Sequence, residues 1–186
     1  MFPKKIDQEF VNELLLKVEG EQLEFKQQIS SQEKIAKTLS AMANSAGGLI
    51  LVGISDQRKI IGIDPDEEHY MIEGANQNFC SPNADLELQV VTIKPETIYE
   101  EEKYILLVIV HPSKGETIYA RQQDGTPKAY RRVGDKNLIA WIETYPQNTV
   151  DDAKNEGKSQ GPPKPIYRKP WRQFSSQQNN DRIDDQ

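Results

Sequence analysis

The stretch from Ser31 to Ile54 constrains the fold more than any other. Ile35, Leu39, Met42, Ala43 and Ala46 recur at helical spacing, Gly47 and Gly48 follow, and Leu49 to Ile54 is a nearly unbroken apolar run. The spacing predicts a helix over about 31–46, opened by a capping box in Ser30-Ser31-Gln32-Glu33 with Ser30 as the cap. One of the two glycines closes it in the left-handed conformation that a residue with a Cβ resists. The apolar run then reads as a strand covered on both faces, and hence central to its sheet. Just upstream, Leu23-Glu24-Phe25-Lys26 alternates apolar and charged residues with the period of a strand, which turns Leu23 and Phe25 to the core and Glu24 and Lys26 outward.

Around this unit the other elements fall into place. Asp7 caps a predicted amphipathic helix over about 8–18, with Phe10, Val11, Leu14, Leu15 and Val18 on one face. Ser55 to Arg58 turns the chain into a second strand at Lys59–Ile63, forming a hairpin. A helix near Glu67–Ala75 and a loop over Asn76–Asn83 precede strands at Asp85–Lys94 and Tyr104–Val110. Short strands near Thr117–Arg121 and Ala129–Val133 lie among turn signals at Pro112, Gly115, Gly125 and Pro127. Asn137 to Tyr145 closes the domain as a helix carrying Leu138, Ile139, Trp141 and Ile142. The pattern describes an α+β fold, a single domain over 1–146 with a mixed β-sheet packed by helices. Residues 147–186, rich in Pro, Gln, Asn and Ser, have little to bury and are expected to form a disordered tail.

Composition narrows the chemistry. Cys80 is the only cysteine and His69 and His111 the only histidines, so thiolate clusters and zinc sites are poorly supplied, and a bound metal would take oxygen ligands, as Mg²⁺ or Mn²⁺ does. No apolar run has the length of a membrane span or signal peptide, and a cytoplasmic location without membrane attachment is the expectation. The formal charge of -6 is uneven. Residues 151–186 hold seven Lys/Arg and six Asp/Glu, leaving 16 bases against 23 acids in residues 1–150. An acidic body does not draw in phosphate backbones from a distance, so contact with nucleic acid must come from local patches. Two are present: Arg121 to Lys136, with five bases and two acids, and Lys154 to Arg172, with six bases and one acid. In the tail, Tyr167, Trp171 and Phe174 alternate with Arg168, Lys169 and Arg172, a mixture that can stack on nucleobases or dock a protein partner. Gly157-Lys158-Ser159 imitates the end of a phosphate loop, but Asp152 stands where its first glycine belongs, so no ATP site is supported.

Three carboxylates attract notice by position: Glu19 in the break after the first helix, Glu24 on its strand, and Asp56 just past the central strand. Brought together they would repel unless a cation sat among them, and a divalent ion so held could bind a phosphodiester and activate a water, with Lys26 offsetting charge on the phosphate. Scattered surface acids, in a chain with 29 of them, would look the same. Asn44 and the glycine pair need no ligand either, since Asn44 can bond to nearby backbone.

The motifs resemble those of the Schlafen/AlbA-type domain family. Glu19 to Lys26 is similar to its E-S-x-x-x-E-F-K signature, Ala41 to Gly53 to A-F-A-N-T-x-G-G followed by an apolar strand, and Ala129-Tyr130-Arg131-Arg132-Val133-Gly134-Asp135 to Y-x-R-x-G-S, so that the likeness runs over roughly residues 10–140. Gly20, Met42, Ser45, Ser55 and Asp135 depart from the pattern. The resemblance implies a nucleic-acid-binding domain, for DNA or RNA, gripping its ligand through Arg121, Lys128, Arg131, Arg132 and Lys26. It also implies an alternative: a Mg²⁺- or Mn²⁺-dependent endoribonuclease in which Glu19, Glu24 and Asp56 form the catalytic, metal-holding triad beside Lys26. Nuclease members of the animal branch pair two such lobes, so a single lobe leads to the expectation of a homodimer. A non-catalytic protein-interaction module is the third reading.

Overall fold

The computed structural model describes residues 5–95 and 97–140. The expected tail, the second basic patch and the last part of the expected closing helix, from Trp141, lie outside the described residues. The elements run α1 (Gln8–Leu15), β1 (Leu23–Lys26), α2 (Gln32–Ala43), β2 (Gly48–Val52), α3 (Pro65–Phe79), β3 (Cys80–Ser81), β4 (Leu86–Ile93), β5 (Lys103–Val110), β6 (Tyr119–Arg121), β7 (Pro127–Val133) and β8 (Lys136–Ile139). The fold is α+β, as the pattern of elements required, but it contains two sheets. The first, ordered β1-β2-β5-β4, is mixed: β1 and β2 are parallel, joined by α2 as a crossover, and β5 runs antiparallel to both its neighbours. The second, β3-β6-β7-β8, is antiparallel throughout.

Helix α2 lies between the sheets. On one side Ile35, Leu39 and Met42 join Ile50, Val52, Leu106, Val108 and Val110 of the first sheet, and the same cluster takes in Ile118, Ala120 and Tyr130 of the second. Eight of its residues are buried, Ala36, Ala41 and Ala43 among them, and their small side chains allow close approach from two directions. The far face of the first sheet is closed by α1, through Val11 and Leu14 against Leu51, Val91, Ile105, Leu107 and Ile109. Strand β2 is therefore covered on both faces, which accounts for its continuous apolar sequence. Among the described residues no helix is long and apolar enough to cross a membrane.

Several boundaries differ from the sequence reading, each for a local reason. Helix α1 is capped by Asp7, whose carboxylate accepts from the Phe10 amide at 3.2 Å, but it ends at Leu15 and leaves Val18 exposed. The cap of α2 is Ser31, not Ser30; its hydroxyl accepts from the Lys34 amide at 3.3 Å. The Lys59–Ile63 strand reduces to a single bridge between Ile54 and Ile60. Asp64 and Pro65 start α3 early, and it runs through the expected loop as far as Phe79. The expected helix from Asn137 begins instead as strand β8, because Gly134-Asp135 makes a two-residue turn with Gly134 at φ +59°, bringing Lys136 back opposite Val133.

Gly47 ends α2 at φ +71°, and its amide donates to the Met42 carbonyl at 2.9 Å. A Cβ there would lie 2.5 Å from the Val110 carbonyl oxygen, a backbone atom of β5 that cannot swing away. Gly20 has open space around it. Gly47→Ala should therefore cost more than ~1 kcal/mol in a urea unfolding titration, from strain and clash together, while Gly20→Ala should stay within about 0.5 kcal/mol of the parent.

Candidate functional site

Glu24 lies on β1 with its side chain turned toward α2, the face the alternation marked as outward. The residue is nonetheless buried, because the hairpin of β7 and β8 covers it. Arg132, on β7, places its guanidinium against one Glu24 carboxylate oxygen, and Lys26, two residues along β1, places its ammonium on the other. The Arg132 side chain is only 1% exposed, so this ion pair is largely removed from water. Its remaining donors are also engaged: Nε donates to the Gly20 carbonyl at 3.1 Å and Nη1 to Asn137 Oδ1 at 2.8 Å. Asn137 in turn donates to Thr38 Oγ1 on α2 at 2.9 Å. One polar chain thus ties β1, β7, β8 and α2 together. A charge pair of this kind is tolerable inside a protein only when such hydrogen bonds complete it, and breaking it by removing one partner costs ~3–5 kcal/mol. Among the described residues no buried side-chain nitrogen or oxygen lacks a partner.

The other carboxylates of the expected triad do not join Glu24. Glu19 is exposed, and its Oε1 accepts the Phe25 amide at 2.7 Å. Strand β1 lies at the edge of the first sheet, so Glu19 caps an edge amide. Asp56 is exposed in the turn beyond β2, where the Arg58 amide donates to the Ser55 carbonyl at 2.8 Å. Among the described residues no three His, Cys, Asp or Glu side chains are grouped so as to hold a metal ion.

The expected nucleic-acid contacts are also distributed by the register. Lys128 pairs with Ala120, whose side chain is buried against α2, so Lys128 and Arg132 fall on the inner face of the second sheet. Arg121 and Arg131 fall on its outer face with Tyr119. These four bases do not form one strip, and Arg132 is occupied by Glu24.

What the structure does assemble is an open cleft of about 340 Å³ at the start of α2. Glu24, Lys26, Arg132, Asp135 and Asn137 line it on one side, and Gln28, Ile29, Ser30, Ser31, Lys34, Ile35 and Thr38 on the other. Three bases against two acids make it locally positive by one charge, in a body that is strongly acidic. The Ser30 and Ser31 hydroxyls and the N-terminal end of α2 add partial positive character and donors. The loop that carries Gln28 to Ser30 is fixed from behind by Glu68 of α3, which is buried and accepts the Ile29 amide at 2.9 Å.

Asn44 serves the backbone, and over a long sequence distance. Its Nδ2 donates to the carbonyls of Ile118 at 2.8 Å and Tyr130 at 2.9 Å, and its Oδ1 accepts the Ile118 amide at 2.8 Å. With Ser40, which donates to Ile118 and accepts from Tyr130, it stands where the β6–β7 ladder would otherwise continue beyond Tyr119 and Ala129. Ser45 accepts the Arg132 amide at 2.9 Å and so sets the height of the buried guanidinium. The sequence reading missed Ser40; the signal that could have found it is a serine inside a helix four residues before an asparagine, a place to look for such bonding. Asn137, Thr38 and Glu68 carry no comparable signal.

An antiparallel sheet is thus docked across a βαβ unit, with a small basic cleft where they meet. Residues 19–140 match the family described as Schlafen, AlbA_2, more than half of the chain, and the protein belongs to that family. Membership points to a nucleic-acid-related function. Comparison with the curated proteins finds no match.

Burial raises the Glu68 carboxyl above its ordinary value of 4.5, against the opposing pull of the Ile29 amide. A raised acid contributes stability that is complete below the unfolded value and is lost as pH rises through the folded one. Relative to Glu68→Gln, which cannot ionise, the parent should hold its stability below about pH 4.5 and lose ground above it. Thermal unfolding of both proteins across this range would show the difference growing with pH; a constant difference would contradict it.

Proposed function

We propose that this domain binds nucleic acid, with backbone phosphate seated in the cleft at the start of α2 between Lys26 and Lys34. The observation that carries the reading is the cleft itself, a locally basic opening in a body with 23 acids to 16 bases over residues 1–150. Family membership across the same residues supports it. Lys26 is pinned by Glu24 and Lys34 stands exposed at the first turn of α2, so one cation is preorganised and the other free to follow the strand. Ser30 and Ser31 supply hydroxyl donors between them. Arg132 acts through Glu24, holding the floor of the cleft, while Arg121, Lys128 and Arg131, spread over two faces, add to the local field without forming a shared contact strip.

The metal-dependent endoribonuclease reading asks for three carboxylates around one ion. Glu24 already carries two cations, and among the described residues no three such carboxylates are grouped to hold an ion, so binding is the function this geometry favours. Phosphate contacts release counterions, so affinity for a labelled single-stranded RNA or DNA should fall steeply with salt in a filter-binding series. Lys26→Ala and Lys34→Ala should each weaken binding across sequences and reduce the magnitude of the log–log salt slope by ~1. Arg58→Ala, in the turn beyond β2, should leave both unchanged. A flat salt slope, or retention by protein partners alone, would favour the interaction-module reading, and Mn²⁺-dependent cutting lost in Asp56→Ala would restore the nuclease.

A further inference from the structure

We infer that the guanidinium of Arg132 is the resident cation of Glu24, standing in the cleft where a divalent ion would have to bind. This concerns the electrostatics of the site and holds whatever the cleft's ligand is. The carboxylate has one oxygen on Arg132 and the other on Lys26. The guanidinium is held on its other sides by the Gly20 carbonyl and Asn137 Oδ1, at 3.1 and 2.8 Å, and its backbone is fixed by Ser45. It cannot turn aside to admit an ion without giving up the Gly20 carbonyl and Asn137 Oδ1, both part-buried.

Charge counting points the same way. One carboxylate faces two fixed monovalent cations, a local sum of +1. A divalent ion added to them would raise the positive charge to four, against Glu24 and, along the same cleft, Asp135 alone, because Glu19 is turned to the Phe25 amide and Asp56 sits in the exposed turn. With both Glu24 oxygens already on fixed cations, that balance leaves a divalent ion repelled. Glu24 is therefore a positioning residue: it fastens β1 to β7 and presents Lys26 at a fixed place in the cleft, without the need for a metal.

The test is a titration of the full chain with Mn²⁺ alone, following the free-ion signal by electron paramagnetic resonance. The parent, Glu19→Gln, Glu24→Gln and Asp56→Ala should give superimposable isotherms, with no saturable site that any of the three substitutions removes. A site present in the parent and lost in one or more of them overturns the inference. In parallel, Glu24→Gln and Arg132→Gln should each lower Tm by ~10 °C, and the double variant should lose little beyond either single one; additive losses would show that the two are not partners and would also overturn it. Should the buried variants fail to fold, the isotherms of Glu19→Gln and Asp56→Ala, which alter exposed residues, decide the matter.

Discussion

Helix α2 is held from both sides, and the rest of the molecule is arranged around that constraint. An ordinary surface helix buries one stripe; this one buries apolar groups against both sheets and adds polar bonds to the second. The second contact is possible because Ser40, Asn44 and Ser45 replace missing strand partners for Ile118, Tyr130 and Arg132. Backbone groups in a dry interface must be paired, and here side chains of a helix and of the turn that ends it do the pairing. Fixing β7 in this way fixes Arg132, and fixing Arg132 fixes the edge strand β1 through Glu24. The cleft follows from that chain of dependence.

The Glu24–Arg132 pair illustrates why a buried ion pair is better regarded as a specifier of geometry than as a source of stability. Its Coulomb attraction is offset by the loss of hydration on both groups, and the net gain over a packed apolar pair is small or negative. What it provides is direction: the planar guanidinium joins a carboxylate, a carbonyl and an amide oxygen from three segments, which a methionine or leucine could not do. The same pair neutralises a carboxylate in the cleft, which leaves the cleft locally positive in a protein whose overall charge is negative.

Glu68 shows a related economy on the other side of the cleft. A carboxylate under α3 caps the Ile29 amide in a loop with no regular structure of its own. The loop leading into α2 is held in place from behind, and its Ser30 and Ser31 hydroxyls remain toward the opening.

By itself the sequence determined the elements whose signals are local. The Leu23–Lys26 strand, the helix ending at Gly47, the apolar central strand and the long pair β4 and β5 were legible because periodicity, caps and glycine conformations act within a few residues. The sequence reading missed the Gly134-Asp135 turn, and the apolar spacing after it predicts a helix where the structure has β8. Only the tertiary structure decided that there are two sheets, and with that the fate of the site. Alternation along β1 puts Glu24 on the face opposite Leu23 and Phe25, but whether that face meets water or protein depends on a hairpin more than a hundred residues away. For the same reason the sequence could place Glu19, Glu24 and Asp56 in order along the chain without revealing that Glu24 belongs to Arg132 and Glu19 to a backbone amide. Partners brought together by long-range packing leave no periodic trace in either segment.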